Sequence, residues 1–149
     1  MIPYTDQSLR HLSTRLMTQI LPDIGNEYSM SDTALVGLLI NAIADEAEQG
    51  IQRRLEDINE LREIFVMAAG SLTAAELELA SSELKSYRLS DVNELHDGLT
   101  RILIELQTRD EKNPVAGPAA EPGSRIDVTN SIWRYLRRHA DRHTIRAIP

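Results

Sequence analysis

Two histidines near the end of the chain have the spacing of a metal-chelating pair. His139 and His143 are four residues apart, which places both imidazoles on one side of a helix, one turn from each other. No third ligand is evident, and Arg137, Arg138 and Arg142 crowd the same turns, where their charge would repel a cation. We therefore expect these histidines to pack or to hydrogen-bond, and we predict no metal and no cofactor from this pair.

A third histidine stands in the segment Glu94-Leu95-His96-Asp97-Gly98-Leu99. This segment resembles the phosphoacceptor box of the NarL-type sensor histidine kinases. The resemblance implies phosphorylation of His96 with Asp97 as its helper, which requires an exposed and partly deprotonated imidazole. Arg101 stands where that family usually has glutamine. The chain also contains no Gly-x-Gly sequence, so nothing in it resembles the ATP-binding domain of those kinases. A phosphotransfer bundle that receives phosphate from a partner, with His96 and Asp97 as catalytic candidates, is thus one alternative.

Acidic residues on two predicted helices form the second alternative. The segments Glu56-Asp57-Ile58-Asn59-Glu60 and Glu94-Leu95-His96-Asp97 look like the magnesium motif of MazG-type all-α nucleotide pyrophosphatases. That resemblance implies Mg²⁺ held by carboxylates from both helices, with Glu56, Glu60, Glu94 and Asp97 as the candidate ligands. At 100° per residue these side chains fall on the polar sides of their helices, so we expect them to face solvent rather than each other.

The elements that carry these residues are predicted to be helices. Leu, Ala, Glu, Arg and Gln are plentiful, whereas only 4% of residues are aromatic, which favours an all-α fold. The periodicity predicts a first helix over 6–21, a loop over 23–30 with Ser31 as the following N-cap, and one long helix over about 32–69 that could break at Gly50. The fold we predict is a helical bundle of four to five helices.

Two shorter helices and a C-terminal helix complete the prediction. Thr73-Ala74-Ala75-Glu76 is a capping box and begins a helix that runs to about Tyr87. Ser90 caps the next helix, which presents the residues of an apolar seam at spacings of three and four. That seam consists of Val92, Leu95, Leu99, Ile102 and Leu106. The adjacent Leu103 and Ile104 widen it, which suggests burial on two sides.

Proline and glycine separate the last helix from the rest. We predict a body over 1–112, a linker over 113–124 and a basic segment over 125–149, whose helix runs over about 128–144. The last segment has six arginines and two aspartates, a balance of +4 within a chain of net charge −7. We expect its helix to dock on the body or on a twin subunit, by Trp133 and Leu136, with Arg134, Arg138 and Arg142 as an arginine stripe.

Composition narrows the function classes that remain. The absence of cysteine excludes disulfides, thiolate nucleophiles and cysteine-held metal clusters. No apolar run approaches the length of a membrane span and no signal peptide is evident, so we expect a cytoplasmic protein. The acidic net charge disfavours nucleic acid as a partner. The leading hypothesis is a small non-enzymatic interaction or regulatory protein, a homodimer, that binds a protein partner through its C-terminal helix.

Overall fold

A computed structural model of the chain describes residues 4–112 and 125–144. Over these residues the protein is all-α, as the composition predicts, and no strand occurs among them. The five α-helices are α1 (Thr5–Arg15), α2 (Glu27–Met67), α3 (Ala74–Ser81), α4 (Leu89–Lys112) and α5 (Arg125–Arg142). The predicted linker over 113–124 lies outside the described residues, so the proposed division into body, linker and tail stays a prediction.

The long helix α2 starts earlier than the sequence pattern indicates and does not break at Gly50. It begins at Glu27, because the side-chain oxygen of Asn26 accepts hydrogen bonds from the backbone N–H groups of Tyr28 and Ser29. The predicted N-cap at Ser31 is therefore wrong, and the predicted loop over 23–30 is confirmed only over residues 24–26. The chain past Gly50 stays helical to Met67, two residues short of the predicted end.

The segment after α1 does not continue as one α-helix to Leu21, but first widens into a π-helical turn and then narrows into a 3-10 turn. Leu16–Ile20 form a π-helical turn and Leu21–Asp23 form a 3-10 turn that contains Pro22. Leu21 keeps an α-helical backbone before Pro22 (φ −55°, ψ −42°), and the helical backbone ends only at Ile24, which is extended (φ −82°, ψ 109°).

The described residues divide into two compact units, the first of which contains residues 4–50 and Thr144. In this first unit α1 contacts the N-terminal half of α2. Ser13 Oγ donates to the carbonyl oxygen of Gly37 over 2.8 Å, and an added Cβ at Gly37 would lie only 2.7 Å from Met17 Sδ. Arg10 pairs with Asp45. No large hydrophobic side chain is buried among the described residues of this unit.

The second unit, Ile51–His143, contains the hydrophobic core. The α4 seam predicted from its three-and-four spacing is confirmed, since all five of its residues and Leu103 are buried. Ile104 is exposed, so the wider apolar surface expected around the seam stops at Leu103. The C-terminal half of α2 contributes the buried residues Ile58, Leu61, Ile64 and Phe65, and Ala68 is buried directly after the helix.

The capping box at the start of α3 is confirmed. The Thr73 side chain accepts from the backbone N–H of Glu76, and the Glu76 carboxylate accepts from the backbone N–H of Thr73. The helix ends at Ser81 rather than at Tyr87. Its last carbonyl groups are satisfied from α2, because the Arg62 guanidinium donates to the carbonyl oxygens of Ala80 and Ser82.

The C-terminal helix α5 packs on the core of the second unit, as the fold prediction requires, although through different side chains. Val128, Ile132 and Tyr135 are buried, and Leu136 is partly buried against the same core. Trp133 is 62% exposed, so it does not anchor α5 to its own unit, and its contact with a twin subunit stays a prediction. Its position on the helix places it one residue beyond Ile132 and therefore about 100° away from the buried side.

No helix among the described residues combines the length and the apolar character that crossing a membrane requires.

Candidate functional site

A single carboxylate inside the second unit is the centre of the site. Asp57 lies on α2 and its side chain is 0% exposed. It precedes Leu61 by four residues and Phe65 by eight, so the helical period places it on the same side of α2 as these core residues. An ionised side chain at such a position requires compensating partners.

Two of those partners are His139 of α5 and His143, which follows directly after this helix. Oδ2 of Asp57 lies 2.9 Å from Nδ1 of His139 and 2.8 Å from Nε2 of His143. Because the carboxylate only accepts, each ring donates its N–H to this oxygen. The two imidazoles are one turn apart, with ring centroids separated by 4.3 Å. The four-residue spacing therefore brings both rings to one acceptor, as expected for histidines that hydrogen-bond.

A third imidazole reaches the same oxygen from α4. Nε2 of His96 lies 3.6 Å from Oδ2 of Asp57, and this nitrogen is buried without a hydrogen-bond partner. Its other nitrogen, Nδ1, lies 3.4 Å from Oδ1 of Asp97. The rings of His96 and His139 are stacked, with centroids 6.1 Å apart. Three imidazoles, one from α4 and two from the C-terminal part of α5 and the residue after it, thus direct ring nitrogens at one carboxylate oxygen of α2.

The opposite side of the cluster consists of three ion pairs between two arginines and two carboxylates. Nε of Arg142 lies 3.0 Å from Oδ1 of Asp57, and Nη1 of the same guanidinium lies 2.7 Å from Oε1 of Glu60. Arg138 donates from Nε to Oε2 of Glu60 over 3.0 Å. Two carboxylates are therefore matched by two guanidinium groups, and the oxygen of Asp57 that faces the histidines is not the oxygen that Arg142 holds.

The charge state of Asp57 follows from these contacts. Burial alone would raise the pKa of its carboxyl group, but the contacts with His96, His143 and Arg142 outweigh burial and hold that pKa well below its usual range. Burial by itself would lower the pKa of the Arg142 guanidinium. Its hydrogen bonds to Glu60 and Asp57 outweigh burial and raise that pKa above its ordinary value. Asp57 is consequently an anion at neutral pH.

Tyr135 borders the cluster on the core side. Its ring centroid lies 5.6 Å from that of His139. Burial first, and then the charges of Asp57 and Glu60, raise the pKa of the Tyr135 hydroxyl above its ordinary value. The hydroxyl is therefore neutral, and the ring serves as an uncharged wall beside the imidazoles.

The structure separates the carboxylates predicted as magnesium ligands. Glu56 is exposed and accepts from Gln52 on its own helix, while Glu94 is exposed beside Lys85. Asp97 is 72% exposed at its side chain. Glu60 departs from the expected solvent position, because it is partly buried against the two arginines of α5. A surface cavity of about 530 Å³ has Glu94 and Asp97 in its lining, but neither Glu56 nor Glu60.

The phosphotransfer alternative requires an exposed His96, but the structure largely buries this side chain. Its side chain is only 13% exposed, because the sequence pattern does not reveal that α5 covers this flank of α4 and α2. A phosphoryl donor would have to reach Nδ1 beside Asp97, or displace α5 to reach Nε2. This position gives little support to the phosphotransfer alternative.

The predicted interaction residues of α5 divide into two groups. Arg138 and Arg142 pair with Glu60 and Asp57 and so hold α5 on its own unit. Arg134 is exposed and donates to the Asn130 carbonyl and to Ser131 Oγ on the same helix. The expected continuous arginine stripe therefore does not face solvent as one surface.

Sequence reasoning missed Asp57 as the centre of the site. The available signal was its register: it lies four residues before Leu61, on the apolar side of a helix that otherwise places aliphatic residues there. An acidic residue in that register predicts a basic or imidazole partner on another element, and α5 supplies both kinds.

The cluster contains the donor set of a metal site. One ligand atom each from Asp57, His96 and His139 lie within 4.8 Å of one another, and this is the one such group of three found over 4–112 and 125–144. Comparison with known proteins finds no matching family model, no matching curated protein and no matching solved structure. The function must accordingly be argued from the geometry.

Proposed function

We propose that this protein is a helical interaction protein that assembles as a homodimer through an exposed apolar face of α2 in the first unit. We call this surface the leucine face. It consists of Leu35, Val36, Leu38, Leu39 and Ile43. The observation that carries the proposal is that all five side chains are between 44% and 56% exposed, although their types are those of a core.

The five side chains of the leucine face are neighbours on the helix. At 100° per residue they lie within an arc of about 160°, which is the width of a helix side that normally faces a core. The segment Thr33–Ala44 contains no charged residue, whereas more than a quarter of the whole chain is charged. An uncharged arc of this width is typical of an interface and not of a solvated surface.

The leucine face is directed away from the helix that packs beside it. Gly37 and Ala44 are buried on the side where α1 contacts α2, and the helical period places them about 160–180° from the centre of the leucine face. Since α1 is engaged on the other side, none of the described residues of this unit buries these five side chains, and we propose that a partner covers them.

A second copy of this chain is the occupant that fits the area. A standard interface buries about 800 Å² per partner, of which about 60% is apolar. The five side chains expose on the order of 450 Å² in each copy, close to that apolar share. A twofold axis would place the same face of both copies in contact and create a core for a hairpin that has none of its own.

The test is the oligomeric state of the full chain by sedimentation equilibrium over a range of concentrations. We expect a dimer that dissociates at least tenfold more readily in Leu39→Glu, because the change buries a charge at the centre of the interface. The matched control is Ile104→Glu, which places the same charge on an equally exposed apolar side chain of α4. The control is expected to dissociate like the wild type.

Two outcomes would contradict the proposal. A wild-type chain that sediments as a monomer at about 100 µM would exclude a homodimer of useful stability. A dimer that is unaffected by Leu39→Glu, or equally weakened by Ile104→Glu, would show that the copies meet elsewhere. Circular dichroism of each variant verifies that both remain folded.

A further inference from the structure

We propose that Asp57, His96 and His139 bind a divalent transition-metal ion, with one ligand from each of α2, α4 and α5. This inference is independent of the homodimer, because all three residues belong to the second unit and none belongs to the leucine face.

The ligand atoms already have the separations of a metal coordination sphere. In a tetrahedral site with ligands at about 2.1 Å from the ion, neighbouring ligand atoms are about 3.4 Å apart. Oδ2 of Asp57 lies 2.9 Å from Nδ1 of His139 and 3.6 Å from Nε2 of His96. Both separations are within about half an ångström of that value, and the third pair of ligand atoms, on His96 and His139, lies within 4.8 Å.

His96 is prepared to act as a ligand. Its Nε2 is buried and has no hydrogen-bond partner, which is costly unless the site gains a partner in another state. Asp97 lies beside Nδ1 and supports the tautomer with the proton on Nδ1, which presents the lone pair of Nε2 to an ion once one is bound. A carboxylate on the far nitrogen is the usual support for a metal-binding histidine.

His139 can reach the same state by moving one proton. At present its Nδ1–H donates to Asp57. Metal binding requires the neutral ring with the proton on Nε2, so that the Nδ1 lone pair binds the ion and the hydrogen bond to Asp57 is replaced by two metal–ligand bonds. His143 keeps its own contact with Oδ2 and steadies the carboxylate.

The arginines nearby do not oppose a cation as their count suggests. Arg142 holds Oδ1 of Asp57 and Oε1 of Glu60, and Arg138 holds the other oxygen of Glu60. Both guanidinium charges are thus balanced by carboxylates, and the bond to Oδ1 orients Asp57 so that only Oδ2 is presented to the ion. Outer contacts of this kind orient the ligands of protein metal sites.

The donor set selects the class of metal. Two imidazoles and one carboxylate favour zinc and its first-row neighbours over Mg²⁺ and Ca²⁺, which take oxygen ligands. Three protein ligands leave one position open for water or a further ligand. The ion would also join α5 to α2 and α4, so that metal binding stabilises the docked C-terminal helix.

The test uses the full chain, free of affinity tags and stripped of metal by a chelator. Calorimetric titration with zinc sulfate is expected to give one site per chain with a Kd below about 10 µM. Titration with Co²⁺ gives a visible absorption spectrum that reports nitrogen and oxygen coordination. The melting temperature is expected to rise with zinc and to return to its starting value when chelator is added.

Three glutamine variants assign the ligands. His96→Gln and His139→Gln are each expected to weaken zinc binding at least tenfold and to remove the cobalt spectrum. His11→Gln changes the one histidine of the chain outside the cluster, on an exposed position of α1, and is expected to bind like the wild type. Because His96 Nε2 makes no hydrogen bond, its variant is the one least disturbed in folding.

The result that overturns the proposal is equally specific. Absence of stoichiometric zinc binding at about 100 µM protein would exclude the site. If His139→Gln abolished binding while His96→Gln left it within twofold, the ion would be held by the His139 and His143 pair alone and not by three helices. Both results would leave the homodimer proposal standing, since sedimentation is measured on metal-free protein.

Discussion

Arg142 on α5 holds Asp57 on α2 through two of its guanidinium nitrogens, with Nε 3.0 Å and Nη2 2.5 Å from Oδ1. The aspartate is fully buried and the arginine is 15% exposed at its side chain. The sequence predicts that the basic C-terminal helix docks on the body, but it does not predict this ion pair between Arg142 and Asp57. This ion pair makes the C-terminal helix an integral part of its unit, because removing the arginine would leave a buried negative charge with imidazole partners alone.

Arg142→Gln is therefore expected to destabilise the protein. Breaking a buried ion pair from one side costs about 3 kcal/mol of unfolding free energy, because the remaining charge is left without compensation. The measurement is urea denaturation followed by circular dichroism. Arg137→Gln is the matched control, since Arg137 is an exposed arginine on the same turns, and its effect is expected to stay within about 0.5 kcal/mol. Equal effects of the two changes would mean that the pair with Asp57 adds nothing to stability.

The packing of α5 leads to a second comparison, between adjacent residues. Ile132 is 2% exposed and Trp133 is 62% exposed. Ile132→Ala is expected to lower the unfolding free energy by about 2–4 kcal/mol through lost burial and a residual cavity. Trp133→Ala removes a larger side chain, but the expected loss is below about 1 kcal/mol because the ring is mostly in water. Urea denaturation of the two variants measures these losses of unfolding free energy. A larger loss for Trp133→Ala than for Ile132→Ala would mean that Trp133, and not Ile132, belongs to the core.

The local patterns were readable from the sequence. The steps of three and four from Val92 to Leu106 predicted which side of α4 is buried, and Thr73 with Glu76 predicted where α3 begins. Both depend on residues within a few turns of each other, so the physics of one helix determines them. Asn26 was misjudged because Ser31 is also a good cap, and the choice between two caps depends on how well the preceding turns continue.

The candidate site was not readable in the same way, because it forms between helices. His96, Asp57 and His139 are separated by dozens of residues, and helical periodicity says which side each occupies without saying which sides meet. Helical periodicity places Glu60 on a polar flank of α2 and predicts solvent there. In the structure α5 covers this flank with Arg138 and Arg142. The expected burial of Trp133 on this unit is a related case. Its large apolar ring favours burial, but the buried side of α5 is set by Val128, Ile132 and Tyr135, and Trp133 lies off that side.

The continuity of α2 through Gly50 predicts that a better helix former will be tolerated there. The three atoms nearest to an added Cβ all belong to the carboxylate of Glu46, which lies one helical turn earlier. This carboxylate is the far end of a flexible side chain and can move aside. Gly50→Ala is expected to raise the unfolding free energy by about 0.5–1 kcal/mol, and Gly50→Pro to lower it by about 3 kcal/mol or more. Thermal and urea denaturation provide the values. If alanine destabilised the protein as strongly as proline, the helix would have to bend at Gly50.

Glu76 makes a pH prediction that is independent of the histidine cluster. Its carboxylate is 10% exposed and is bound by both terminal nitrogens of Arg109, at 2.8 and 3.2 Å, and by the backbone N–H of Thr73. Burial would raise the pKa of Glu76, but the Thr73 and Arg109 contacts outweigh it and lower that pKa below its ordinary value. The folded state thus favours the ionised form more than the unfolded state does.

The sign of the pH effect follows from that lowered pKa. The stability that Glu76 contributes is fully present above the unfolded pKa of about 4.3 and is lost as the pH falls through the lower folded pKa. Glu76→Gln keeps an amide for the capping box but has no proton to titrate. At pH 7 we expect it to be less stable than the wild type by about 1–2 kcal/mol, and we expect this difference to shrink progressively below about pH 4.5. Glu78→Gln, an exposed position on the same helix, should show no such convergence, and a gap between wild type and Glu76→Gln that stays constant down to acid unfolding would refute the assignment.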